Sequence, residues 1–225
     1  MTRSSRRRLA VFPLLAAFLF VLALSSPGCA AGAAPAREPV VGLPCEGCEA
    51  IFAGMPEEPA AAARIGPLGE LGEPLRIIGT VFDPSGKPAP GIVVYAYQTD
   101  AAGHYPPDEA RRGQPGARHG RLRAWVRTDG HGEYAFDTVR PGGYPGTDIP
   151  QHVHMHVLEP GRCTYYIDDL LFTDDPRLTA GKRASYELGR GGSGIAVPAK
   201  GSDGVWNVRR DIRLGEKIPG YLPLR

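Results

Sequence analysis

The stretch IPQHVHMHV, residues 149–157, sets three histidines at alternate positions in an otherwise apolar run. Successive side chains of a β-strand point to opposite faces. As a strand, this run puts His152, His154 and His156 on one face and Val153, Met155 and Val157 on the other. Same-face neighbours stand roughly 6.5–7 Å apart along the chain, so two imidazoles can converge on one metal ion. The plainer reading is a polar strand face turned to water. Carboxylates do not decide between the two, because Asp148 and Glu159 flank the run without the spacing of a two-histidine, one-carboxylate site. Two tyrosines in turn-rich surroundings are better partners: Tyr105 in AAGHYPP and Tyr144 in RPGGYPGTDIPQHVH. Each precedes a proline, which pushes it out of helix toward extended backbone. Taken singly, each is as well explained by a ring that packs a turn.

Strands and turns have to bring these residues together. From Leu75 onward the chain reads as short runs rich in Val, Ile, Tyr, Phe and Thr: LRIIGTVFD, GIVVYAYQT, LRAWVRTD, GEYAFDTV, HVHMHVLE and CTYYIDDLLF. They are separated by PSGKPAPG, DGHG, PGGYPG and EPGR, all strong turn chemistry. No stretch between 75 and 170 carries a long 3.6-residue apolar period. This pattern predicts an all-β fold, a β-sandwich over residues 75–225, and the 30 glycines and 23 prolines predict long irregular loops. The tail, 173–225, reads as Gly-rich loops with one strand, VWNVRRDIRL. Upstream, residues 29–74 are rich in Ala, Gly, Pro and Glu and read as a linker or N-terminal extension, with a short helical turn in EPAAAARIG. That extension carries CEGC, which is half a zinc site, a redox pair or a pair of disulfide cysteines. A zinc ribbon needs a second such pair, and a thioredoxin-like context is missing. The cysteines Cys45, Cys48 and Cys163 therefore favour a structural disulfide, with its pairing open.

The chain opens on Arg3, Arg6, Arg7 and Arg8, then LAVFPLLAAFLFVLALSS, then small residues. This is the build of a signal peptide over residues 1–28. Pro13 and Pro27 argue against a permanent membrane span. SRRRLAVF has the flavour of a twin-arginine address. Cys29 is a candidate lipid anchor as the first residue of a bacterial lipoprotein, although SSPGC lacks the usual aliphatic residue three positions before the cysteine, so ordinary cleavage competes. The expectation is an exported bacterial protein: periplasmic, secreted or lipid-anchored. The full chain has 26 basic and 24 acidic residues; without the four leader arginines the balance is 22 to 24, a formal −2. No basic patch remains to recommend a nucleic-acid partner.

Taken in order, GTVFDPSGKPAPGIVVYAYQTDAAGHYP, LRAWVRTDGHGEYAFDTVRPGGYP and PQHVHMHV resemble the intradiol ring-cleavage dioxygenase family, non-haem ferric enzymes that open catechols. The family carries a tyrosine in a Gly-x-Tyr loop, a second in an Arg-Pro-x-x-Tyr-Pro turn, and closes with Pro-x-His-[Ile/Val]-His. Here these are Tyr105, Tyr144, His152 and His154, within a resemblance that runs from Leu75 to about Phe172. CEGCEA behind an export leader is similar to a secreted branch. The resemblance implies a β-sandwich holding Fe(III) through those four residues, with a small aromatic diol and O₂ as substrates and a muconate-type diacid as product. It implies that Tyr144 is the axial ligand that leaves the metal and takes up a proton, and it allows a homo-oligomer. The pair His154 with His156 competes for the two imidazole places. Where relatives commonly carry an arginine before Pro-x-His, this chain has Ile149. Arg140, Arg123 or a C-terminal arginine would have to supply that charge, and Arg140 is the catalytic candidate.

The donor types agree with the metal. Ferric iron is hard and highly charged, so a phenol beside it binds as phenolate. Two phenolates and a hydroxide cancel three positive charges, and two neutral imidazoles complete the shell. Zinc or copper is not ordinarily given two tyrosines. Two alternatives stand beside this reading. GTVFDPSGKPAPGIVVYAY also resembles a transthyretin-like β-sandwich binding module without catalysis, and His-x-His alone could hold zinc or copper.

Overall fold

The computed structural model describes residues 38–45 and 47–221. The leader over 1–28, its twin-arginine flavour and the candidate lipid site at Cys29 lie outside the described residues. Among the described residues no helix is long and apolar enough to cross a membrane.

Among the described residues, twelve strands form two sheets. They are β1 (Ala62–Arg64), β2 (Pro74–Phe82), β3 (Val93–Gln98), β4 (Arg123–Arg127), β5 (Glu133–Val139), β6 (His152–Glu159), β7 (Cys163–Tyr166), β8 (Leu170–Phe172), β9 (Ile195–Ala196), β10 (Ala199–Lys200), β11 (Trp206–Arg209) and β12 (Ile212–Arg213). One sheet runs β1-β5-β2-β11-β10, with β12 also on β2; the other runs β4-β3-β6-β8-β9, with β7 also on β6. The expected all-β sandwich is what forms, and its core lies between the inner faces. Ile77, Val81, Tyr134 and Phe136 from one sheet meet Val94, Ala96, Val153, Met155 and Val157 from the other. Each fully buried large apolar side chain of this kind contributes about 1.5–3 kcal/mol.

The pleat then dictates where the histidines go. Val153, Met155 and Val157 face the core, so His152, His154 and His156 stand on the outer face of β6. Water does not reach that whole face: His156 is fully buried. Strand β3, paired antiparallel to β6 with Tyr97 opposite His154 and Tyr95 opposite His156, is buried along both faces. The cover comes from the segment around the 3₁₀ helix Cys48–Phe52, whose Ile51 joins Val93, Tyr95, Tyr97, Trp125 and Leu158 in a second apolar cluster. Trp125 Nε1 donates to the Ile51 carbonyl at 2.6 Å and pins the segment down.

Several expectations change here. The described residues of the stretch read as a linker belong to the body: Val41 N–H donates to the Thr164 carbonyl and Gly42 N–H to the Pro219 carbonyl. The helical turn expected in EPAAAARIG is instead β1, a parallel edge strand with Ala62 opposite Ala135. Alanine favours helix only weakly, and a free edge of β5 offers a hydrogen-bond ladder that a single turn between Pro59 and Gly66 cannot match. The tail contains a short helix, α1 (Ala180–Tyr186), which buries no side chain and so leaves little apolar signature. Cys45 pairs with Cys48, and Cys163 is a buried free thiol.

Candidate metal centre

Two loops carry the tyrosines to the histidine strand. Asp100 shapes the first: its carboxylate accepts from the N–H groups of Ala102 and His104, both at 2.9 Å, so Tyr105 leaves the turn in a set direction. The second loop crosses the first at Gly142 and Gly143, and Gly142 N–H donates to the Asp100 carbonyl at 2.7 Å. This approach needs glycine on both sides. Gly103 has φ of 86°, and a Cβ there would stand 2.3 Å from the Gly143 carbonyl oxygen. Gly103→Ala is therefore expected to push the two tyrosine loops apart. The left-handed backbone alone costs about 1–2 kcal/mol, and the observable is metal retention falling at least about tenfold when judged against a ligand-centre affinity that small displacements already weaken.

Four donor atoms converge. Tyr105 Oη is 2.6 Å from Tyr144 Oη and 2.9 Å from His154 Nε2. His152 Nε2 is 3.1 Å from His154 Nε2 and 3.3 Å from Tyr144 Oη. The far ring nitrogens settle which proton sits where. His152 Nδ1 lies 2.7 Å from the Pro150 carbonyl, which only accepts, so Nδ1 carries the hydrogen and Nε2 presents a lone pair. His154 Nδ1 lies 2.9 Å from the Asp169 carboxylate, with the same consequence. Two imidazole lone pairs and two phenol oxygens thus face one point, and the cluster holds only the two phenolic protons. A highly charged cation would displace both and meet two phenolates and two neutral imidazoles, so the donor set fits ferric iron.

Burial tunes the four groups. It is the main reason that the His152 imidazolium is disfavoured, with the neighbouring His154 adding to it, and this keeps the ring neutral and ready to ligate. Burial, and then the hydrogen bond and proximity of Tyr144, hold the Tyr105 phenol far above its ordinary range. Only a nearby positive charge reverses that preference. Beside the four atoms is a cavity of about 150 Å³ lined by Tyr97, Tyr105, Arg118, His119, Tyr144 and His154.

Asp169 is the functional residue the strand pattern missed. On β6, only His154 and Met155 lie between the pairings His156–Tyr166 and Val153–Leu170, whereas the partner strand has Ile167, Asp168 and Asp169 there. The extra residue is a bulge, and bulges re-aim side chains. Here it turns Asp169 behind His154, where its carboxylate also accepts from the Tyr166 hydroxyl. The carboxylate bonds the outer nitrogen of His154, so it orients the ring rather than joining the four donors. Two acids in the apolar run IDDLL were the available signal. Asp168 braces the bulge from behind, accepting from Gly189 N–H at 2.5 Å and Arg190 Nε at 3.0 Å.

Arg140 goes elsewhere. Its guanidinium pairs with Asp174, donates to Gln151 at 2.8 Å and lies over the rings of Phe172 and Trp206. Arg123 pairs with Asp108 and the Gly116 carbonyl. Neither lines the cavity; Arg118 does. Arg177 reaches the Ile149 carbonyl at 3.3 Å, and so meets that position through its backbone.

His119 is a second residue that no motif announced. It stacks on Tyr97 with centroids 3.6 Å apart, and its Nδ1 meets Tyr95 Oη at 2.9 Å. Burial, followed by the positive potential of His156 and Arg118, brings its pKa down to about 3. The unfolded chain therefore binds one more proton than the folded one between about pH 3 and 6.5. The contribution is complete above that window and is lost as pH falls through it. His119→Gln should flatten the decline of the melting temperature between pH 6.5 and 4, which thermal melts in a pH series would read.

A family model described as Dioxygenase matches residues 55–186. The chain is 29% identical to the protocatechuate 3,4-dioxygenase beta chain of Burkholderia cepacia over 113 residues, covering 48% of each. It is 28% identical to the intradiol ring-cleavage dioxygenase hqdA of Aspergillus niger over 124 residues, covering 48% of this chain and 36% of that one. The chain thus spans about half the length or less of these curated relatives. Among solved structures, the dioxygenase domain of a dioxygenase carbohydrate-binding protein fusion from Streptomyces sp. SirexAA-E is similar at TM-score 0.51 and 21% identity, over 71% of this chain and 90% of that one. Catechol 1,2-dioxygenase from Acinetobacter sp. ADP1 is similar at TM-score 0.54 and 19% identity, over 72% and 59%. At these identities the likeness is one of fold.

Proposed function

The chain belongs to the intradiol ring-cleavage dioxygenase family, and on that premise we propose that it is an exported non-haem Fe(III) dioxygenase. Its substrate would be a catechol-type aromatic, cleaved with O₂ between the two hydroxyl-bearing carbons to a muconate-type diacid. The observation that carries this reading is the meeting of Tyr105, Tyr144, His152 and His154 at 2.6–3.3 Å beside an open cavity. Those four residues would hold the metal. Bound ferric iron supplies the Lewis acidity that holds a catechol dianion and makes its ring reactive toward O₂.

The chain's own residues do the rest. Tyr144 sits on a loop whose next four residues are exposed, so as phenolate it would have room to move and accept a substrate hydroxyl proton at Oη, becoming the neutral phenol. Tyr105 is held more firmly, against the rings of Tyr97 and His154. Tyr97 is stacked face to face between His119 and His154, and this rigid block of rings lines the cavity and limits the orientations open to a substrate ring. Arg118 puts a positive charge on the cavity wall, where it offsets the negative charge of a deprotonated diol. Export rests on the leader over 1–28 and agrees with a Cys45–Cys48 disulfide, which persists in oxidising compartments.

The test is metal content with spectroscopy. Purified protein should contain one iron per chain and show a visible tyrosinate-to-iron absorption, lost together with iron in Tyr144→Phe, and it should consume O₂ with one or more of a panel of catechols. Colourless protein fully loaded with zinc or copper would defeat the reading.

A further inference from the structure

The four-atom centre leaves two features of the sequence unused, the CEGC turn and His156, and the fold puts them together. The sulfurs of Cys45 and Cys48 and a ring nitrogen of His156 all lie within 4.8 Å of one another. We propose that reduction of the Cys45–Cys48 disulfide turns this cluster into a second metal site, a Cys₂His site for zinc or a similarly thiophilic divalent cation.

Spacing and turn geometry both suit it. Two cysteines separated by two residues recur as half of a structural zinc site. Gly47 takes φ of 79° between them and Cys48 begins a 3₁₀ helix, so the chain doubles back and aims both sulfurs to one side. The second pair that a zinc ribbon would need is absent from the sequence because the third ligand comes from β6, more than a hundred residues later. With Zn–S near 2.3 Å, two sulfurs on a tetrahedral ion stand about 3.8 Å apart, a separation the opened turn reaches by a small movement of each side chain.

The surroundings select charge and entry. His156 and Cys48 are buried, and Cys45 is partly exposed, which leaves one side open to an incoming ion. Two thiolates cancel a dication, so the loaded site is neutral, as a buried site requires. The His156 ring is held in place by Tyr166, with centroids 5.0 Å apart, and by Tyr95 at 5.7 Å. A further nitrogen points the same way. His119 Nε2 is buried without a hydrogen-bond partner among the described residues and faces Gly47, where a Cβ would stand 2.4 Å from it.

The chemistry balances with a dithiol as reductant. Two electrons and two protons pass from the dithiol to the Cys45–Cys48 bond, giving two thiols, and the reductant ends as its own disulfide. The cation then displaces the two thiol protons and binds both sulfurs and the His156 imidazole. In an oxidising compartment the disulfide closes the site, so the second ion reports reduction.

Cobalt(II) titration tests this on the full chain as isolated. One sample is kept oxidised; the other is reduced with a dithiol and desalted without air. The reduced protein should take up one cobalt per chain with a thiolate-to-cobalt charge-transfer absorption, and one equivalent of zinc should displace it. The oxidised protein should bind in this way at least 100-fold more weakly. Both Cys45→Ser and His156→Gln should weaken the reduced-state binding at least tenfold; because Cys45 is partly exposed, Cys45→Ser carries the test if His156→Gln does not fold. A reduced protein with no such absorption, or one whose absorption survives unchanged in Cys45→Ser and so belongs to other thiols, Cys29 and Cys163 among them, would overturn the proposal.

Discussion

Replacing His154 with alanine is expected to leave a folded protein that retains no more than about a tenth of the wild-type iron, with ring-cleaving activity reduced at least in proportion. Loss of an outer hydrogen-bonding partner alone weakens a metal site roughly 10–100-fold, and His154 is a donor atom itself. Its Nε2 is the hub of the cluster, 2.9 Å from Tyr105 Oη and 3.1 Å from His152 Nε2. Its removal also leaves Asp169, whose carboxylate accepts the His154 Nδ1 hydrogen, facing a void with a negative charge. The fold should survive because the side chain stands on the outer face of β6, while Val153 and Met155 make the inter-sheet contacts on the other side. Elemental analysis, the visible tyrosinate band and a thermal melt read the three parts separately. A variant with full iron and an unshifted band would show that the two tyrosines and His152 suffice, and the four-donor reading would fail.

Period-two alternation made most of this architecture readable. HVHMHVLE could be placed as a strand with its faces assigned, and β6 spans His152–Glu159 with that assignment intact. The two tyrosine loops were also legible, because each tyrosine lies among turn residues and precedes a proline; that Gly103, Gly142 and Gly143 allow the two loops to touch was visible only in the fold. What escaped was set by contacts between distant segments. Composition alone makes residues 29–74 a linker, yet the outer faces of β3 and β6 carry Tyr95, Tyr97 and His156 and have to be covered, and the CEGC segment covers them. Asp169 escaped because alternation assumes one residue opposite one, and the bulge at Ile167–Asp169 breaks that count. His119 sits at the end of a 3₁₀ turn, Ala117–His119, where no periodicity exists to read.

The same bulge explains how a sandwich can position a centre on its outside. The outer face of a sheet is ordinarily solvated, and imidazoles there would rotate. Here each ligand ring is fixed from behind by a hydrogen bond that its own strand or the neighbouring bulge supplies: His152 by Pro150, and His154 by Asp169. The bulge is itself held from the far side by Arg210, a buried guanidinium that donates to the carbonyls of Gly191 at 3.1 Å and Asp168 at 3.4 Å. Rigidity at the donor atoms is therefore inherited from backbone carbonyls and one carboxylate, which is why the outermost of these supports has a large expected effect.

Asp169→Asn removes that support's charge while keeping its shape. Asparagine can still accept the His154 Nδ1 hydrogen through its amide oxygen, but a neutral acceptor raises the basicity of the ring less than a carboxylate does. Iron affinity is expected to fall about 10–100-fold, the range typical of such partners, and the tyrosinate band should shift rather than vanish because the four donors remain. A second readout is independent of metal. Burial by itself would raise the Asp169 carboxyl, but His154, His152 and the Tyr166 hydroxyl outweigh it and hold its pKa at about 2, against an ordinary 3.8. The folded value lies below the unfolded one, so the carboxylate stabilises the fold fully above about pH 4 and loses that contribution as pH falls toward 2. Denaturant unfolding of the metal-free variant should accordingly show a flatter acid limb than the wild type across that interval. An Asp169→Asn protein with wild-type iron affinity and an unchanged acid limb would reduce the carboxylate to a packing group, and the link from the bulge to the metal centre would be lost.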